Sequence, residues 1–162
     1  MMLDLQTRLE IENKADTLLQ QSGSIEYPIR LSGILTKHGL KVKIFQPEKG
    51  LDKFSEYSGM IDKKAKVIYI NGEEPLYRQR FTIAHELGHW ILKHQAEVDY
   101  RNNQAPYSAE ELQADYFAAC LLMPKNTFLN VYQKMNISQL AAFFGVSRKA
   151  IGIRAGDIFH EV

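Results

Sequence analysis

The stretch His85-Glu86-Leu87-Gly88-His89 constrains this chain more than any other. It lies inside an apolar period of Leu76, Ile83, Ala84, Leu87, Trp90 and Ile91 that recurs at helical spacing after Pro75. Side chains four apart on a helix share a face, so the two imidazoles can reach one ion. Glu86 follows the first histidine directly, which sets it beside such an ion without ligating it. Zinc in that place lowers the pKa of a bound water from about 15.7 toward 7, and the carboxylate can pass the released proton to a leaving amine. Gly88 allows close approach of backbone or substrate. Two histidines on a helix can also be plain surface residues; the strong helical period and the carboxylates downstream weigh against that.

Such a centre needs a third ligand. Ser108-Ala109-Glu110-Glu111-Leu112-Gln113-Ala114-Asp115 supplies candidates, with Glu111 and Asp115 on one helical face. One carboxylate would complete a site of two histidines and one acid, leaving the fourth position for water. The other would accept the remaining ring N–H of a ligating histidine and fix its tautomer. The same letters also read as a capping box, in which Glu111 merely reaches back to the Ser108 backbone. From the pattern, ligand and cap both stand, with Glu110 as a further candidate ligand.

Around these segments the periodicity predicts an α+β domain. Leu5, Leu9, Leu18 and Leu19 mark a helix over 4–20, and a short second helix runs from Pro28 to about His38. Strands are expected over 41–45, 57–61 and, most clearly, Val67-Ile68-Tyr69-Ile70, which ends at the turn pair Asn71-Gly72. The polar link from Gln95 to Pro106 reads as a loop, and Asn126 to Met135 as an amphipathic helix. With 162 residues, 45% of them hydrophobic, the chain can build one compact domain over 1–135. A helical tail over 136–162 would pack on or near it.

The formal net charge of +1 gives no global field toward nucleic acid or an anionic membrane. Cys120, the one cysteine, lies in the apolar run Phe117 to Met123 and reads as a small buried residue in a reducing compartment. Acidic residues at positions 4, 10, 12 and 16 interrupt any secretory signal, and no apolar run spans a bilayer. The expectation is a cytoplasmic protein without membrane contact.

The segments Arg80-Phe81-Thr82-Ile83-Ala84-His85-Glu86-Leu87-Gly88-His89-Trp90, Glu111-Leu112-Gln113-Ala114-Asp115-Tyr116-Phe117-Ala118-Ala119 and Leu121-Leu122-Met123-Pro124 together resemble the ImmA/IrrE family of metallopeptidases. The resemblance is specific over about 78–125 and looser over 67–71 and the tail. It implies a minimal zincin-like metallopeptidase fold, a small sheet with active-site helices, and one zinc per chain. It makes His85, His89 and Glu111 the metal ligands and Glu86 the catalytic base, with Asp115 supporting a ligating histidine. By analogy with the edge strand of zincin folds, Val67, Ile68, Tyr69 and Ile70 would pair with an extended substrate, whereas without that analogy an ordinary core strand reads equally well. The implied partner is a protein substrate, a helix-turn-helix repressor encoded nearby in a mobile-element or stress-response system.

Other residues read less sharply. Tyr27, Arg78, Tyr107, His94 and His160 are candidate oxyanion donors. His94, projected along the helix, points off the ligand face as a surface histidine, and Arg78 and Arg80 read as braces for the metal helix. In the tail, Leu140 to Ile151 resembles the core of a helix-turn-helix, with Gly145 at the turn and Ser147 capping the second helix. Arg148, Lys149 and Arg154 would then face phosphate, although Gly152 weakens that helix and packing or partner docking is the blander role. Two functions from different classes follow. One is a peptidase; the other is a non-proteolytic regulatory module that uses the zinc fold and tail to bind a partner protein or DNA. An intact Glu86 favours the first, because holding zinc does not require a general base.

Overall fold

Apart from Asp115, the run from Ala114 to Met123 holds no charged residue, and it becomes the centre of the molecule. In a computed structural model that describes residues 2–23, 25–47, 57–95 and 107–160, with the backbone of 98–102, it forms most of helix α4 (Ala109–Leu122). Ala114 and every residue from Tyr116 to Leu122 are buried. A helix apolar all round must be covered on several sides. Here α1 (Leu5–Gln21) covers one and α3 (Leu76–Ile91) another. Ile11, Ala15, Leu18 and Leu19 of α1 and Ala84 and Leu87 of α3 join the α4 residues in one buried cluster. The Asp4 carboxylate caps α1 by accepting from the Thr7 N–H at 2.8 Å. The short α2 (Leu31–Lys37) adds Leu31, Ile34 and Leu35 to the core and begins three residues later than Pro28 suggests.

A four-stranded sheet lies across α3. Its strands are β1 (Lys41–Phe45), β2 (Tyr57–Asp62), β3 (Val67–Asn71) and β4 (Val98–Asn102), in the order β1-β3-β2-β4. β1 runs parallel to β3, and β2 is antiparallel to both β3 and β4. This order corrects two expectations. Val67, Ile68, Tyr69 and Ile70 do not form an edge, because Val67 to Ile70 pair with Lys41 to Ile44 on one side and with Gly59 to Asp62 on the other. Their backbone groups are already engaged, so they cannot receive a substrate strand; among the described residues the outer strands are β1 and β4. Ile68 and Ile70, at 0% and 1% exposed, are core. The polar link after α3 is likewise more than a loop, since Val98–Asn102 within it pairs with β2.

The tail contributes α5 (Lys125–Tyr132), α6 (Ile137–Phe144) and α7 (Arg148–Phe159). Gly145 turns the chain between the last two in the left-handed region, φ 66°, and Ser147 Oγ caps α7 by accepting from the Ala150 N–H at 3.0 Å. The tail is stitched to what precedes it. Arg80 Nε donates to the Gly145 carbonyl at 3.3 Å, and Arg8 Nη2 to the Asp157 carbonyl at 2.8 Å. Arg154, fully buried, donates from Nε to the Met123 carbonyl at 3.0 Å and from Nη2 to Glu12 Oε1 at 3.1 Å. Arg154 therefore does not face phosphate, whereas Arg148 and Lys149 are exposed. Among the described residues, no helix is long and apolar enough to cross a membrane.

Candidate metal centre

The distance between α3 and α4 is set by one missing side chain. A Cβ on Gly88 would stand 3.0 Å from Phe117 Cδ1 and 3.3 Å from the Cα and carbonyl oxygen of Ala114. Gly88 thus serves the approach of the α4 backbone, which carries Glu111 to the histidine face. His85, Glu86 and His89 are 1%, 0% and 0% exposed at this crossing.

Three ligand atoms converge there. His85 Nε2 and His89 Nε2 lie 3.1 Å apart, His89 Nε2 is 2.9 Å from Glu111 Oε1, and His85 Nε2 is 3.2 Å from Glu111 Oε2. A tetrahedron with vertices about 2.0–2.1 Å from its centre has edges of roughly 3.3–3.4 Å, close to these separations. Two imidazole nitrogens and one carboxylate are also the donor set of three-ligand zinc sites, so the residues fit that ion. Among the described residues they are the group able to hold a metal, and Glu110 stands outside it.

The choice between ligand and cap resolves within one residue. Ser108 Oγ does cap α4, but it accepts from the Glu111 backbone N–H at 3.1 Å, while the Glu111 side chain turns to the two imidazoles. Both oxygens of the Glu111 carboxylate thus face the Nε2 atoms of the histidine pair. Asp115, one turn on, places Oδ1 2.7 Å from His85 Nδ1.

His94 is where projection from the sequence fails. It is not a surface residue turned away from the site: its Nδ1 lies 2.7 Å from His89 Nδ1, and its Nε2 lies 3.0 Å from Gln113 Oε1. The helix ends at Ile91 and Lys93 adopts φ 57°, so the chain folds back and the His94 N–H donates to the His89 carbonyl at 3.2 Å. Lys63, from the β2–β3 turn, donates its Nζ to the His94 carbonyl. Burial lowers the His94 pKa, and the Gln113 hydrogen bond opposes it. Gln113 and His94 together were missed for want of a stop signal, since Lys is an uncommon residue for a left-handed helix end.

The remaining candidates scatter. Tyr27 packs on Phe143 at 5.0 Å and bonds Thr127, away from the histidines. Arg78 pairs with Glu74 at 3.1 Å, His160 is exposed, and Tyr107 stands 60% exposed. Tyr77, Arg78, Phe81, Tyr107 and Asp115 line part of a cavity of about 690 Å³ between α1, α3, α4 and α7. It reaches the centre from behind, through Asp115.

The fold has a counterpart among solved structures. The structure of a Mycobacterium tuberculosis transcriptional regulator superposes with a TM-score of 0.60 at 19% sequence identity, over 91% of this chain and 47% of that one. The chain thus spans about half the length of that neighbour, and the likeness is one of fold. No curated protein matches. The family model of the IrrE N-terminal-like domain, Peptidase_M78, matches residues 35–155. Because that match runs from α2 into α7 and contains both histidines, Glu86, Glu111 and Asp115, the chain belongs to the family of IrrE N-terminal-like domains.

Proposed function

We propose that this chain is a zinc-dependent peptidase with a narrow protein substrate, and that it cuts a helix-turn-helix repressor encoded near it. Its family suggests a zinc-dependent peptidase or a regulator of the IrrE/ImmA type. The observation that carries the choice is the convergence of His85, His89 and Glu111, with Glu86 fully buried on the same helix between the two histidines. A site that only stored an ion would have no use for a carboxylate in that place.

Zinc, when bound, supplies a water of lowered pKa and polarises the scissile carbonyl. Glu86 accepts the water's proton and hands it to the leaving amine. Asp115 holds the His85 ring by its Nδ1–H and keeps Nε2 turned inward. Three ligands on two helices of one molecule support one zinc per chain. With β3 enclosed, an extended segment of the substrate adds to an outer strand, β1 or β4, and the tail contributes to selection. A cytoplasmic location goes with a repressor as substrate.

The tail supports a second reading, a non-proteolytic regulatory module that grips a partner protein or DNA. The neighbour from Mycobacterium tuberculosis is described as a transcriptional regulator, and α6 and α7 pack as a helix-turn-helix-like pair. Incubating the purified chain with the neighbouring repressor, with and without chelator, separates the two. One or a few chelator-sensitive cuts, read by mass spectrometry, are expected. Intact repressor beside zinc-loaded protein would favour the regulatory module, and broad cleavage of casein would overturn the narrow substrate.

A further inference from the structure

His85 and His89 present the same atom, Nε2, to the shared site, yet they are held from behind by different chemistry. His85 Nδ1 meets the carboxylate of Asp115, which only accepts, so the direction of that bond is settled. His89 Nδ1 meets another imidazole, that of His94, at 2.7 Å. A ring nitrogen can donate or accept, and this contact alone leaves the proton unassigned.

The far side of His94 assigns it. His94 Nε2 lies 3.0 Å from Gln113 Oε1, an amide oxygen that only accepts. The His94 proton therefore sits on Nε2 and its Nδ1 offers a lone pair. His89 must donate from Nδ1, which leaves the His89 Nε2 lone pair facing Glu111 and His85. If the Gln113 amide offered its NH₂ instead, the chain of bonds would invert and put a proton on His89 Nε2, where it would block ligation. The relay is built in: left-handed Lys93 folds His94 back, Lys63 holds its carbonyl, and α4 supplies Gln113 between the ligand Glu111 and the support Asp115.

We propose that Gln113, acting through His94, is a positioning pair that fixes His89 in the Nδ1–H tautomer and so prepares its Nε2 for the metal. The proposal rests on the zinc reading above, whose ligand set it extends outward by two residues.

The direct test is the tautomer itself, in the native protein. Long-range proton–nitrogen correlation spectra of the ¹⁵N-labelled, zinc-loaded chain are expected to show protonated Nδ1 at His89 and protonated Nε2 at His94. A protonated Nδ1 at His94, in a neutral or a charged ring, overturns the relay without any substitution. Zinc affinity, measured by competition with a chromophoric chelator, gives the second arm. Gln113→Leu, which has no acceptor, should weaken binding about 10–100-fold. Gln113→Glu keeps an acceptor and should restore it. Wild-type affinity in Gln113→Leu, or equal weakening in both variants, overturns the proposal. His85→Ala separates the layers. Zinc affinity untouched by that change removes the zinc reading and the relay with it, whereas affinity lost there but unmoved in Gln113→Leu removes the relay alone.

Discussion

Helix α4 is flanked by two clusters of charged and titratable side chains that differ in how they are closed. On the α3 side, Glu111 and Asp115 meet His85 and His89. On the α1 and α7 side, Arg154 meets Glu12 and the Met123 carbonyl, close to Tyr116 and Cys120. Burial pushes the Cys120 thiol up to about 12, so it stays neutral and unreactive there. In this second cluster a donor is aimed at acceptors of the same chain, Nε at the Met123 carbonyl and Nη2 at Glu12. In the first, two imidazole nitrogens and a carboxylate converge on one another, the donor set of a metal ion. Glu111 and Asp115 also keep 23% and 21% of their side chains exposed, while Arg154 keeps none. Buried charge by itself therefore does not mark a site; convergent acceptors with a way in from solvent do.

Four measurements would break or sharpen this contrast. The largest effect belongs to Glu86. Glu86→Gln should cut turnover by about 10²–10⁴-fold while zinc content stays at wild type, because the amide cannot take the proton. Undiminished hydrolysis by the zinc-loaded variant would put the base elsewhere. Next comes the closed cluster. Arg154→Met strands the Glu12 carboxylate in the core and should cost about 3–5 kcal/mol in urea unfolding, with zinc affinity unmoved. Adding Glu12→Leu should recover most of that loss, and a single variant as stable as wild type would show that the pair is not the clamp described.

Asp115→Asn should act the other way round, lowering zinc affinity about 10–100-fold with little change in the stability of the zinc-free fold. A titration at wild-type affinity would dismiss it as a support. The smallest effect is at the helix end. Lys93→Gly should raise stability by about 1 kcal/mol, since glycine holds φ 57° without steric cost. A less stable variant would mean that the Lys93 side chain contributes more than its backbone costs.

The open cluster was far more legible in the sequence than the closed one. His85, Glu86 and His89 sit on a helix whose period is unbroken, and Glu111 and Asp115 recur at the same spacing on a second helix. Those relations are local, and helical geometry alone reads them. Arg154 reads as a phosphate contact only if the tail binds DNA, and nothing nearby in sequence announces that Glu12 will be its partner. β3 was taken for an edge for the same reason: strand order is a property of the whole sheet, and the unbroken apolar run Val67 to Ile70 is equally what a strand covered on both faces looks like. β4 hid in a polar stretch because cross-strand pairing, not composition, makes it a strand. His94 was lost through a single dihedral, since a helix that stops at Ile91 sends the next residues where no helical wheel would put them.

The bond from Arg154 to Glu12 has a consequence for the order of events during synthesis. It joins residues separated by 142 positions, so a nascent chain carries Glu12 long before the guanidinium that neutralises it emerges. Until then α1 cannot bury that carboxylate on α4 without the full desolvation penalty. Closing so long a loop late also slows the final docking step. A ribosome-bound fragment that contains His85, His89 and Glu111 but not yet Arg154 therefore holds α1 on α4 less firmly than the full chain does.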